Sequence, residues 1–160
     1  MYIKVSEILF KGKQNIPWNK VRDYMRRFVG KVFVVKEYGD EIKFNSESAS
    51  EFTGSVYSER LRGGLAKTKA NISQIIPELI IEATNRRWLE NKNEKHKGDA
   101  SLGWNRYDVY FTVPVYNEED QSVRWNYYRA TLIVRINEKG LFFHDIINIK
   151  KEARTPGGSC

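Results

Sequence analysis

The sequence predicts an α+β domain, with N-terminal helices packed on an antiparallel sheet formed mainly by the C-terminal third. Three observations lead there. Helical spacing of apolar residues dominates the first half, strict alternation dominates the last third, and the turns between the alternating runs are short and polar. At 160 residues the chain suits one domain, expected over residues 1–154, and is long enough to bury a substantial core. Apolar content of 41% and aromatic content of 13% separate it from disordered chains.

Residues 17–28 open with Pro17 and place Val21, Tyr24, Met25 and Phe28 at helical spacing, and Gly30 ends that helix. Two short strands, 31–37 and 41–45, follow around Tyr38-Gly39-Asp40 as a hairpin. Over 60–76, Leu61, Leu65, Thr68, Ile72, Ile75 and Ile76 form one stripe. Lys67 and Lys69 lie on its two flanks, where they are expected to face solvent and bind phosphate. Gly63-Gly64 weakens the first turn of this helix, and a fresh helix is expected over 77–88 with Pro77 at its first position. Residues 89–102 are polar and read as an exposed loop. In 106–116, Tyr107, Val109, Phe111, Val113 and Val115 share one face. In 123–136, Tyr128, Ala130, Leu132, Val134 and Ile136 form the core face, and 141–150 returns after Asn137-Glu-Lys-Gly140. Thr155-Pro-Gly-Gly-Ser-Cys160 reads as a flexible tail.

Composition excludes several function classes. No run of about 18 apolar residues exists to span a membrane, and Glu7 interrupts what an export signal would continue. The chain therefore reads as cytoplasmic. One cysteine and two histidines rule out a disulfide framework and a Cys/His zinc site, and no metal or cofactor is expected. The net charge is +7, from 27 Lys+Arg against 20 Asp+Glu, and residues 1–45 alone carry ten basic and five acidic residues. Such a surplus favours a polyanionic partner through long-range attraction and counterion release, or is simply a basic surface.

Three constellations bear on chemistry. The second face of 123–136 interleaves Trp125, Tyr127, Arg129 and Arg135. Rings stack on bases and guanidinium forks grip phosphates, so this face suits single-stranded RNA or DNA if it is open. If helices cover it, the arginines merely snorkel to its edge. In the loop Lys95-His96-Lys97, flanking cations favour the neutral imidazole, leaving a base near neutral pH. Metal-free RNA cleavage needs such a base, a proton donor and cations around the phosphorane. His96 would supply the first, Lys97, Arg106 or Arg135 the charge, and Tyr107 a donor. A solvated loop is the other reading of the same residues. Finally, Tyr57-Ser-Glu-Arg60-Leu-Arg62-Gly-Gly64 precedes a helix and could seat a phosphate there, without P-loop spacing. His144 and Asp145 are strand neighbours facing opposite ways, so they cannot pair with each other.

Several segments in order carry a resemblance: Val29-Gly-Lys-Val-Phe-Val-Val-Lys36 with Glu41-Ile-Lys-Phe44, Lys95-His96, Gly103-Trp-Asn-Arg-Tyr-Asp108, Ala130-Thr-Leu-Ile-Val-Arg135, and Asp145-Ile-Ile-Asn-Ile-Lys-Lys-Glu152. Over about residues 17–155 they resemble a domain found near the end of very large polyvalent proteins of phages and conjugative elements. The order of elements and the scattered basic and aromatic residues also resemble the barnase–EndoU–colicin–RelE class of metal-independent ribonucleases. That likeness implies an RNA-cleaving, toxin-like domain, with His96, Arg106, Tyr107, Arg129 and Arg135 carried over by position as its site. It also implies a host target or immunity protein as a further partner. A module that binds nucleic acid, or blocks a host defence protein, without cleavage is the alternative. A scaffold domain using an apolar helix face is a third.

Overall fold

The computed structural model describes residues 1–12, 14–92, 98 and 100–153. The expected flexible tail and the Lys95-His96-Lys97 loop lie outside them. The architecture is α+β, with helices from the N-terminal half laid on a curled mixed sheet. The strands are β1 (Ile3–Lys4), β2 (Val32–Val34), β3 (Glu41–Lys43), β4 (Thr84–Leu89), β5 (Trp104–Tyr116), β6 (Ser122–Asn137) and β7 (Gly140–Lys151). Their order is β1-β5-β6-β7-β3-β2, and β4 shares the β1 side of β5.

The three long C-terminal strands form the expected antiparallel meander. At the β5–β6 turn the Asn117 side chain accepts from the N–H groups of Glu119 and Gln121. At the β6–β7 turn Asn137 accepts from Lys139, while Gly140 takes a positive φ. The sheet is mixed because β1 joins β5, and β3 joins β7, in parallel. Both pairs are two residues long, so they extend the sheet without changing its antiparallel centre.

The helices are α1 (Trp18–Met25), α2 (Ser46–Gly54), α3 (Val56–Arg60), α4 (Gly63–Ile72) and α5 (Ile76–Ile81). The stripe expected over 60–76 is divided, because Leu61 and Arg62 are extended between α3 and α4. A 3-10 turn then joins α4 to α5. The helix expected over 77–88 ends at Ile81. Residues 84–89 form edge strand β4 instead, where five of six residues are exposed, so no alternation advertised it. Helix α2 is fixed by a capping box, in which Asn45 and Ser48 exchange side-chain bonds with each other's backbone N–H.

One core fills the space between helices and sheet. Tyr107, Val109, Phe111 and Val113 of β5 meet Tyr128, Ala130, Leu132 and Val134 of β6, and Phe143 and Ile146 of β7. Phe143 stacks on Phe44 and tilts against Phe52 of α2. No helix among the described residues is long and apolar enough to cross a membrane.

Gly103 controls the entry to β5. Its φ is +97°, and an added Cβ would lie 2.6 Å from the Leu89 carbonyl oxygen and from the Trp88 indole nitrogen. Gly103→Ala should therefore destabilise the fold by about 1–3 kcal/mol, through strain and backbone displacement. Urea unfolding would check this, and an unchanged midpoint would contradict it.

Candidate nucleic-acid interface

Burial alternates along the first half of β5. On β5 the alternate residues Trp104, Arg106, Asp108 and Tyr110 remain half-buried, whereas their neighbours Asn105, Tyr107 and Val109 are buried. Cross-strand pairing places Trp125, Tyr127 and Arg129 of β6 on the same outer face, opposite Pro114, Thr112 and Tyr110. Trp125 and Tyr127 are half-buried and Arg129 is exposed. These three therefore share one face of β6, as alternation predicts.

The N-terminal strand extends this surface. Parallel pairing of Ile3 with Phe111 and of Lys4 with Thr112 brings Lys4 onto the outer face, its Nζ 4.4 Å from the centre of the Trp125 ring. Tyr2 meets Tyr110 and Tyr127 edge-on, with ring centres 5.5 and 5.2 Å apart. The Tyr2 hydroxyl donates to Glu152. Burial, then the adjoining carboxylate, pushes that phenol up to about 12, so it stays a neutral donor. Tyr110 was legible as an outward residue of an alternating strand. Tyr2 and Lys4 were not, because no local pattern reports that residues 3–4 pair with residues 111–112.

Beyond the rings the face becomes cationic. Arg129 stands directly opposite Lys150, a like-charge pair that ordinarily disfavours the sheet. A bulge sets this register, since Arg129 and Thr131 face Lys150 and Ile147, leaving one extra residue on β7. Asn148 sits in that bulge with φ +53°, a conformation asparagine tolerates better than most side chains. A depression of about 190 Å³ lies here, lined by Arg87, Asp108, Arg129 and Lys150 among others. Asp108 is held by Arg87 at 3.0 Å. Neither Arg129 nor Lys150 has a carboxylate partner among the described residues.

Other site expectations are corrected. Arg135 is 5% exposed, with Nη2 3.4 Å from Glu47 and its guanidinium over the Phe142 ring, so it does not join Trp125 on an open surface. Tyr107 points into the core, where its hydroxyl donates to Asp40 at 2.6 Å. Burial and Asp40 together raise that phenol far above its usual range. Arg106, one residue earlier, lies on the opposite face across from Ile133. Arg106 and Tyr107 therefore cannot converge on one phosphate. Lys69, expected on an exposed flank, is fully buried and bound to Asp145 at 2.6 Å. His144 is buried against Trp104, with Nε2 3.6 Å from Glu51, while Asp145 is bound to Lys69. Lys95, His96 and Lys97 lie outside the described residues.

Lys67 is half-buried on a second, larger depression of about 1030 Å³ on the helix side of the sheet. There the β5–β6 hairpin runs alongside the start of α4. Cations from three elements line it: Arg62 and Lys67, Arg124, and Lys150 with Lys151. No Asp or Glu lines it. The Arg- and Gly-containing segment before α4 thus opens into this groove at Arg62 and Gly64.

No protein-family model matches the chain, and neither a curated protein nor a solved structure is significantly similar to it.

Proposed function

We propose that this domain binds single-stranded nucleic acid, RNA in the first instance, on the outer face of its sheet. One observation carries the reading: the outer face runs from the rings of Tyr2, Tyr110 and Tyr127 to Arg129 and Lys150, two adjacent cations without a carboxylate partner among the described residues. Rings offer stacking to unpaired bases of any sequence, and the cations offer counter-charge to the phosphates. The net charge of +7 adds long-range attraction. The setting we attach to it is that of the resemblance, a domain within a large protein of a phage or conjugative element acting in a bacterial cell.

Binding without cleavage is the form that the described geometry supports. Of the residues expected to cut RNA, Tyr107 and Arg135 are committed to Asp40 and Glu47, and Arg106 faces away from Tyr107. Cleavage would have to be built around His96, which lies outside the described residues.

The test is fluorescence anisotropy with a labelled single-stranded RNA at low salt. Arg129→Glu combined with Tyr127→Ala should weaken binding roughly tenfold or more, since loss of one base stack alone is worth about 1–3 kcal/mol. Gel analysis after incubation in chelator should show intact RNA. Absence of binding to both RNA and DNA by the wild type would sink the reading. Chelator-resistant cutting that His96→Ala abolishes would replace it with the ribonuclease reading.

A further inference from the structure

The groove beside α4 is not part of the stacking face, yet Lys150 lines both depressions, the smaller one on the outer face and the larger one on the helix side. We propose that a bound single strand turns around this end of β7 at Lys150 and continues into the groove. There Arg62, Lys67, Arg124 and Lys151 hold its phosphates. The inference rests on the nucleic-acid reading of the sheet face and adds to it a second segment, a path and a longer footprint.

Charge is the first support. Five cations line the groove and no carboxylate does. None of the five takes part in an ion pair among the described residues; Arg62 instead spends its guanidinium on the carbonyl oxygens of Glu59 and Leu61. The chain has 20 acidic residues available, so a concave surface without one is selective in what it admits. Like charges gathered in a concavity repel one another and concentrate the field, and an anionic chain relieves both effects.

Shape and lining are the second. The space of about 1030 Å³ slightly exceeds the ~300–1,000 Å³ of small-molecule sites, so it has room for a segment of chain. Its walls also offer Tyr116, Tyr128 and Val113, so sugar and base edges meet apolar surface between the cations. A nucleic-acid strand brings one phosphate charge per nucleotide to the five cations and adds bases that can lie against Tyr116, Tyr128 and Val113, which an acidic peptide lacks. Footprints of roughly 4–16 nucleotides are found for a single OB fold, and a path spanning both depressions takes up more nucleotides than the sheet face alone.

The experiment compares RNA oligonucleotides of about 4, 8 and 12 residues on wild type, on a groove variant (Arg62→Glu, Lys67→Glu, Arg124→Glu) and on the face variant (Tyr127→Ala, Arg129→Glu). Circular dichroism and melting would confirm that each is folded. The wild type should gain affinity with length. The groove variant should bind the shortest oligonucleotide within about threefold of wild type, yet lose tenfold or more on the longest, removing the length dependence. A uniform loss at every length would mark a nonspecific field effect and overturn the path. So would a groove variant that binds the longest oligonucleotide like wild type; if the face variant is weakened in the same assay, the sheet-face reading survives that failure. No binding of any oligonucleotide by the wild type would instead remove the underlying reading. Polyglutamate competing as well as the longest RNA, and losing that ability in the groove variant, would assign the groove to an acidic protein segment and overturn the proposal.

Discussion

Lys69→Met should cost about 3–5 kcal/mol of stability, because it leaves the Asp145 carboxylate buried without its cation. The ammonium group of Lys69 is completely enclosed. It donates to Asp145 at 2.6 Å and to Ser58 at 2.5 Å, and it lies 4.5 and 5.1 Å from the ring centres of Phe52 and Tyr57. Ser58 passes the contact on by donating to the Phe52 carbonyl oxygen at 2.6 Å. One side chain thereby ties α4 to β7 and to the α2–α3 corner. Removing both charges together, as Lys69→Met with Asp145→Asn, should recover most of the loss, since the attraction of a buried pair largely offsets its own desolvation. Chemical denaturation of the single and double variants would measure this. A double variant as unstable as the single one would contradict it.

The pH dependence supplies an independent check. Burial raises the Asp145 carboxyl and lowers the Lys69 ammonium, in each case against the partner's opposing charge. In Lys69→Met the opposing charge is gone, so the carboxyl rises further. A carboxyl whose folded value exceeds its unfolded value, about 3.9, favours the native state below that unfolded value. The benefit is lost as pH rises through the folded value. The deficit of Lys69→Met relative to wild type should therefore shrink as the buffer is taken from neutral toward acid. A deficit that grows on acidification would refute the assignment.

Lys69 also shows what the chain did and did not disclose. Strands β5, β6 and β7 were legible because one face is buried and the other is wet, which writes alternation directly into residues such as Tyr107, Val109 and Phe111. The outward set Trp125, Tyr127 and Arg129 followed from the same parity. Arg135 shares that parity, but Glu47 draws it under the rim of the sheet, and such a long-range partner leaves no periodic trace. A lysine on a helix flank reads as solvated for the same reason, since its partner Asp145 lies 76 positions away. Helix α2 escaped notice because its stability comes from the Asn45–Ser48 box and a few inward residues such as Ala49 and Phe52. The two bulges in β7, which place Lys150 opposite Arg129 and leave His144 without a cross-strand partner on β6, are register events that pairing alone decides.

Salt should weaken RNA binding by roughly 300-fold between about 50 and 200 mM, if the six cations of the path each neutralise one phosphate. The six are Arg62, Lys67, Arg124, Arg129, Lys150 and Lys151, and none is occupied by a carboxylate among the described residues. Lys4 is left out because it is seated over Trp125, and Arg87 because Asp108 holds it. For single strands each neutralised phosphate contributes ~0.7 to the slope of log affinity against log salt, so six give a slope near −4. Stacking on Tyr110 and Tyr127 adds affinity without adding slope, which allows the two contributions to be separated in one titration. Replacing Arg62, Lys67 and Arg124 by glutamine should reduce the slope by about 2, leaving a loss of roughly 20-fold over the same range. Tyr127→Ala should lower affinity at every salt concentration and leave the slope as it was. A wild-type slope near zero would mean that the cations do not meet phosphate at all. A slope that survives the glutamine variant intact would mean that the strand stays on the sheet face and never enters the groove.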